Sequence, residues 1–436
     1  MRKFLLFLFL LSGQFILAQT DGKYLIRAGR LFDSEAGQFR DGMTILVNDN
    51  KIIAVKPTTA VTTQEEKDYQ VIDLSQYTVL PGLVDAHTHL LYKETVYPQN
   101  DFYGLDLART LTMDGDAYRA IYGAARAKAY LEAGITSVQD LGNSGEFADI
   151  ALRRAINEGL VIGPRMRCAG KGLSSQGGQI PGLIFKHQSI VDDEYRIVKS
   201  PEDGIQAVRE NVTQGADVIK IYSNNTPNNT SLSIEEMQAI VREAHRLHRR
   251  VTAHATNNQA VYNAVVAGVD GIEHGYEVAD STLELMAKKG VVLVPTDGDS
   301  VSFTQYAKLA NPADPQKMAR EMMEYRKYLG DRLRRAIKKG VMIVAGSDDY
   351  VDFKEPFAEP SKRTLIGYYE SGVPIGQVLQ FATINASRQL NWADRIGVLK
   401  SGYLADIIAV DKDLDKNIDA ILHVHFVMKD GKVIVK

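Results

Sequence analysis

Short apolar runs alternate with longer amphipathic segments over most of this chain. Eight such runs, each of strand length, end near His89, Asp140, Cys168, Tyr222, His254, His274, Pro295 and Asp348. Between them, residues 117–132, 147–157, 205–213, 234–249 and 317–339 carry apolar residues at helical spacing, so each can lay one stripe against a sheet. Eight strand-helix repeats predict an α/β fold, a (β/α)8 TIM barrel, rather than an open doubly wound sheet. No glycine-rich nucleotide fingerprint follows the first strand. In such a barrel the chemistry sits at the C-terminal ends of the strands.

The two ends of the chain follow a different pattern. Residues 24–28, 44–47, 51–55 and 71–72 read as strands separated by polar turns such as Asn48-Asp-Asn50, and residues 403–410 and 423–435 resemble them. Both ends are therefore expected to form one small β-sandwich, from residues 20–76 and 400–436, around a barrel of residues 77–399. Ahead of it, Arg2 and Lys3 precede the apolar run 4–11, and the small Ala18 follows a more polar stretch. That is the pattern of a signal peptide over residues 1–19, and its apolar core is too short for an ordinary span of roughly 20 residues. The expectation is a periplasmic or secreted protein without a stable membrane anchor. Cys168 is the single cysteine, which excludes an intrachain disulfide.

Composition narrows the partners. The 436 residues are 45% hydrophobic and 24% charged with a formal net charge of -3, and no basic stretch is interleaved with aromatics. Nucleic acid is thereby excluded as an expected partner, leaving a small molecule or peptide, with a homo-oligomer left open.

The strand ends carry the candidate chemistry. The stretch Leu80-Pro-Gly-Leu-Val-Asp-Ala-His-Thr-His-Leu90 delivers His87 and His89 at i and i+2, on one strand face, with Asp85 expected on the same face. The other ends add Lys220, His254, His274 and Asp348, and four imidazoles with a carboxylate suit a borderline divalent metal such as zinc. Lys220 lies between Val218-Ile219 and Ile221, in a strand expected to be buried on both faces. Burial lowers a lysine pKa and leaves a neutral amine able to add carbon dioxide as a carbamate; pairing with Asp217 or reaching solvent is the bland alternative. His423 and His425 repeat the i, i+2 spacing, but no acidic or histidine partner is expected near them. His245 and His248 read as an exposed helix face, His187 as a loop residue, and Asp349 as pointing away from Asp348.

Taken together, the stretches 45–55, 80–90, 131–142, 216–222, 271–275, 345–348 and 402–411 resemble the amidohydrolase superfamily. The resemblance is to its imidazolonepropionase-like and Xaa-Pro dipeptidase-like members with a binuclear, carboxylated-lysine centre. It implies one metal held by His87, His89 and Asp348, a second by His254 and His274, and carboxylated Lys220 bridging the two. It further implies hydrolysis by metal-activated hydroxide, with Asp348 as general base and then general acid. Tyr222 would lie near the substrate, where it could steady a carbonyl oxygen or a carboxylate, or else be a core tyrosine. The expected substrate is a dipeptide or N-acyl amino acid, whose carboxylate Lys171 or Lys186 could receive. A cyclic amide is the alternative. A ring-amidine deaminase fits less well, because Lys220 is present and His254-Ala-Thr-Asn257 lacks the HxxE pattern. Two departures stand out: Gly177-Gly178-Gln179 where relatives often have Gly-Gly-His, and Asn224-Asn225 where they often have two glycines.

Overall fold

The computed structural model describes residues 22–96, 105–180, 182–226, 228–353 and 356–436, so the expected signal peptide lies outside the described residues. The chain opens with β1 (Lys23–Asp33), β2 (Gln38–Asn48), β3 (Lys51–Pro57) and β4 (Gln70–Pro81). It continues through β5 (Leu83–Thr88), β6 (Ile135–Asp140), β7 (Arg165–Cys168), β8 (Gly172–Ser174), β9 (Tyr195–Ile197), β10 (Val218–Tyr222), β11 (Arg250–Ala255), β12 (Gly271–His274) and β13 (Val292–Val294). It closes with β14 (Ile407–Asp411), β15 (Val424–Lys429) and β16 (Lys432–Val435).

Both chain ends meet in a single seven-stranded sheet, ordered β16-β15-β14-β4-β1-β2-β3. The expected two-layer sandwich is not shown: the ends join edge to edge, with β14 antiparallel to β4 from Ile407↔Pro81 to Asp411↔Tyr77. Their inward residues, among them Ile26, Ile45, Val79, Ile407 and Phe426, share one apolar core. β4 runs across residues 76 and 77 and leaves the sheet at Gly82. A Cβ there would lie 2.1 Å from Thr136 Oγ1, so only glycine lets the chain pass into β5.

The middle of the chain is parallel. One sheet orders β5-β6-β7, and another orders β13-β12-β11-β10-β8-β9. β8 and β9 were not expected; they are three-residue strands in the long connection between β7 and β10. Single hydrogen bonds link the two sheets, with Asp217 N–H donating to Cys168 O at 2.8 Å. Residues 342–348, expected as the last strand, bond to β13 through Leu293 N–H to Met342 O at 3.0 Å, and to β5 through Ala86 N–H to Ala345 O at 2.9 Å. Val344 N–H to Leu293 O at 3.0 Å and Asp348 N–H to His87 O at 2.8 Å complete this pairing, which is too short to form a longer ladder.

Helices cover the outer face, and their ends follow local sequence signals. Pro201–Gln214 starts behind Ser200, whose side chain accepts from Asp203 N–H, and stops at Gly215 with φ 107°. Ile234–Arg246 starts with a capping box formed by Ser233 and Glu236. Ile219 and Ile221 of β10, Val251 and Ala253 of β11, and Ile272 of β12 pack with Met237, Ile240 and Val261 from these layers. Each large aliphatic side chain buried there contributes ~1.5–3 kcal/mol, so the strands cannot rotate or slip by one residue. The alternate residues Lys220, Tyr222, Thr252, His254 and Glu273 are thereby forced to the opposite, inner face. No described helix is long and apolar enough to cross a membrane.

Candidate metal centre

The strand ends converge. His87, His89, Lys220, Tyr222, His254, His274 and Asp348 all line one cavity, so every candidate ligand named from sequence is brought together. His87 Nε2 lies 3.3 Å from His89 Nε2, and Asp348 Oδ1 lies 3.4 Å from the first and 3.1 Å from the second. These three offer ligand atoms within 4.8 Å of one another. Lys220 Nζ is 3.4 Å from His87 Nε2, and the rings of His254 and His274 stand 4.6 Å apart. Asp348 Oδ2 lies 3.9 Å from His274 Nδ1, at the centre of the group.

Two of these residues reach the cavity against strand alternation. On β12, Glu273 pairs with His254 and faces inward, so regular pleating would send His274 outward. Instead His274 adopts φ 72°, which ends the strand and turns its ring beside His254. Asp348 has φ 55°, and Gly346 before it is pressed so close to β5 that a Cβ would lie 2.8 Å from His87 Cβ. Left-handed backbone at non-glycine residues costs of order 1–3 kcal/mol, and here both instances carry cavity side chains.

The surroundings settle which nitrogen His87 and His89 offer. His87 Nδ1 is 2.7 Å from Glu273 Oε2, leaving Nε2 for the cavity; Thr252 Oγ1 donates to the other carboxylate oxygen. His89 Nδ1 donates to Gly142 O at 2.8 Å. Burial holds His87, His254 and His274 well below the usual imidazole range, with neighbouring cationic groups, Lys220 among them, adding to it, which favours the neutral, ligating form of the ring. Burial also opposes charge on His89, but the hydrogen bond and charge of Asp348 outweigh it and raise its pKa. For Asp348 burial is again outweighed, by His87 and His89, and its carboxyl stays below the usual range. Burial lowers Lys220, against the pull of Glu273 and Asp348. Three imidazoles of depressed basicity, a fourth paired with an ionised carboxylate, and a lysine with depressed basicity form a donor set that fits divalent metal ions.

Several expectations need correction. Asp85 does not join the cavity: its carboxylate accepts from His87 N–H (3.1 Å), Ser347 N–H (3.0 Å), Ser347 Oγ (2.5 Å) and Ser361 Oγ (2.6 Å), clasping the segment that carries Asp348. Lys171 is bound to Glu146 (3.0 Å) and to Asp192 O (2.8 Å), and Lys186 sits exposed in the turn Phe185–His187. Neither lines the cavity, so neither is placed to receive a substrate carboxylate. His423 and His425 do have an acidic partner, Asp411, which lies 2.7 Å from each. Other placements agree with the sequence. Asp349 turns away to Tyr130 OH (2.7 Å) and Arg126 (3.2 Å), His245 pairs with Asp270 on the surface, and His187 is exposed; His248 is exposed too, but lies beyond the helix, which ends at Arg246, and not on its face.

The two departures differ in kind. Gln179 lines the cavity, its amide nitrogen 3.2 Å from His254 Nε2. Asn224 and Asn225 instead brace loops: Asn224 exchanges hydrogen bonds with Thr256 (2.8 and 3.1 Å), and Asn225 with Ser174 and Ser175 (2.9 Å each). Sequence reasoning also missed Glu273, Tyr92, Glu94, Asn143, Tyr195 and Tyr350. Strand parity on β12 would have found Glu273; the others, apart from Tyr195 on β9, lie in loops where no periodicity applies.

Residues 78–434 match the amidohydrolase family model, and the chain belongs to the amidohydrolase family. It is a hydrolase of carbon-nitrogen bonds. It is 28% identical to an ochratoxinase of Aspergillus niger over 91% of this chain and 83% of that one. An imidazolonepropionase of Caldanaerobacter subterraneus subsp. tengcongensis is 23% identical, over 90% of this chain and 88% of its own. Among solved structures, a Xaa-Pro dipeptidase with methionine bound in its active site superposes with a TM-score of 0.78 at 29% identity, covering 94% of this chain and 99% of that one.

Proposed function

We propose that the protein is an exported, metal-dependent amidohydrolase that cleaves the amide or peptide bond of a small, carboxylate-bearing substrate, a dipeptide or N-acyl amino acid. The observation that carries this reading is the convergence of His87, His89, Lys220, His254, His274 and Asp348 on one buried cavity. The hydrogen bonds that join the parallel sheets through Asp217, Met342 and Ala345 support closure into an eight-stranded barrel, with the cavity at the C-terminal ends of its strands.

His87, His89 and Asp348 would hold one metal ion and His254 and His274 a second, with Lys220, as its carbamate, between them. Two bound divalent ions, zinc being suited to these donors, supply an acidified water and a polarised carbonyl. The remaining work falls to side chains. Asp348, ionised and central, takes a proton from the attacking water and returns it to the leaving nitrogen. Glu273 keeps the His87 proton on Nδ1. Tyr222, buried against His254 at 5.3 Å, bounds the substrate space beside the scissile bond. The carboxylate of the substrate falls to hydroxyl and amide donors, because among the described residues Lys220 is the one lysine lining the cavity and no arginine lines it.

The test is a panel of dipeptides, N-acyl amino acids and cyclic amides with metal-reconstituted protein. Hydrolysis of the first two classes supports the reading. Turnover of cyclic amides alone, or ammonia release from ring amidines alone, overturns it.

A further inference from the structure

Glu94 stands apart from the groups assigned to hydrolysis. Its carboxyl lines the same cavity, with Tyr92, Leu107 and Tyr350 around it. Its backbone is held on both sides, N–H donating to Tyr350 O at 2.7 Å and its carbonyl accepting from Asp352 N–H at 2.8 Å. This lashes the loop after β5 to the loop that follows Asp348, so Glu94 holds a fixed place at the cavity wall. One carboxylate oxygen accepts from Tyr92 OH at 3.0 Å, and among the described residues no lysine or arginine pairs with it. The adjoining Lys93 is turned to the ring of Tyr122, 5.3 Å away. The charges that act on Glu94 are those of Asp106 and Asp348, both negative; burial and these two push its carboxyl up to about 7. The cavity wall therefore carries a half-buried acid that no lysine or arginine among the described residues neutralises, a place suited to a cationic group of the substrate.

We infer that Glu94 is a specificity-determining residue, receiving an ammonium or guanidinium group of the substrate beside the amide that is cleaved. The inference rests on the amide-hydrolase reading and sharpens it to substrates whose aminoacyl portion is positively charged. Ionised Glu94 both attracts that charge and repels a carboxylate placed there, so one residue supplies attraction and exclusion. Peptides can present the cation in two ways, as the free α-ammonium or as a lysine or arginine side chain.

Matched substrate pairs separate the two sources: a dipeptide against its N-acetyl counterpart, and a lysine-containing dipeptide against its norleucine counterpart. The wild type is expected to favour the cationic member of at least one pair in kcat/KM by about 10- to 100-fold, the range of a hydrogen bond between charged groups. Glu94→Gln should abolish that preference, bringing kcat/KM of the cationic member to that of its neutral counterpart, and the pair that collapses names the source. Equal preferences in wild type and E94Q overturn the inference. So does an E94Q that changes only the ratio of free-acid to amidated substrates, which would make Glu94 a neutral donor to a carboxylate. Equilibrium binding of the same pairs to Asp348→Asn, with and without E94Q, reads the preference without turnover. Absence of hydrolysis by the wild type would then contradict the amide reading alone, while the binding ratios still decide Glu94.

Discussion

The Nδ1 atom of His87 lies 2.7 Å from Oε2 of Glu273, with both side chains wholly buried. The two residues are 186 positions apart in sequence, and the pair joins strands β5 and β12, which are not neighbours in either sheet. Burial pushes Glu273 up to about 7, with Lys220 and the Thr252 hydroxyl opposing it. Its effect on the cavity is transmitted through the His87 ring, which it orients.

Glu273→Gln is expected to weaken metal binding by about 10- to 100-fold, the usual effect of removing a carboxylate behind a ligating imidazole. A metal-buffered titration measures it. Unchanged affinity would show that the His87 ring is held by its other neighbours.

Lys220→Ala should lose metal and activity together. Short carboxylic acids supplied in the assay should restore part of both, since they place an anionic oxygen where the carbamate would stand. Full activity of K220A without such rescue would contradict the assignment of Lys220.

How much of this was legible in the sequence depended on strand parity. Lys220, Tyr222 and His254 sit two apart or directly paired on regular strands, so alternation puts them on one face and the structure places them there. Parity equally predicted Asp85 beside His87, and failed because Ser347 and Ser361, distant in sequence, capture its carboxylate from below the cavity. His274 and Asp348 were named for their position at strand ends, yet left-handed backbone and not the pleat brings them in. Asp411 was missed as the partner of His423 and His425 because the two histidines were read along their own strand, whereas the partner lies on β14, hydrogen-bonded alongside β15. Glu94, Asn143 and Tyr350 sit in loops, where spacing carries no signal and only tertiary structure gathers them.

Asp348→Asn should reduce kcat by roughly 10²–10⁴-fold, the worth of general acid-base assistance, and should reduce metal content much less. The amide oxygen still coordinates weakly but cannot carry a proton. Near wild-type kcat with metal retained would remove Asp348 from the proton path.

A stability effect is expected from Asp149. Burial, reinforced by the charge of Asp140, raises its carboxyl from 3.8 to about 7, against the pull of Gly170 and Ile150 N–H groups. The folded pKa lies above the unfolded one, so the protonated carboxyl favours folding. That stabilisation is fully present below about pH 4 and is lost as pH rises through about 7. Urea midpoints of the wild type should therefore fall from pH 5 to pH 8 more than those of Asp149→Asn. Parallel pH dependence of the two would contradict this.

The central claim, that six side chains from both parallel sheets and residues 342–348 form a two-metal amide-hydrolysing centre, is tested most directly by metal content. Elemental analysis of active protein should find about two divalent ions per chain, as a binuclear centre requires, and activity should vanish on chelation and return on reconstitution. One ion or none per chain in protein that hydrolyses amides at full rate would contradict it.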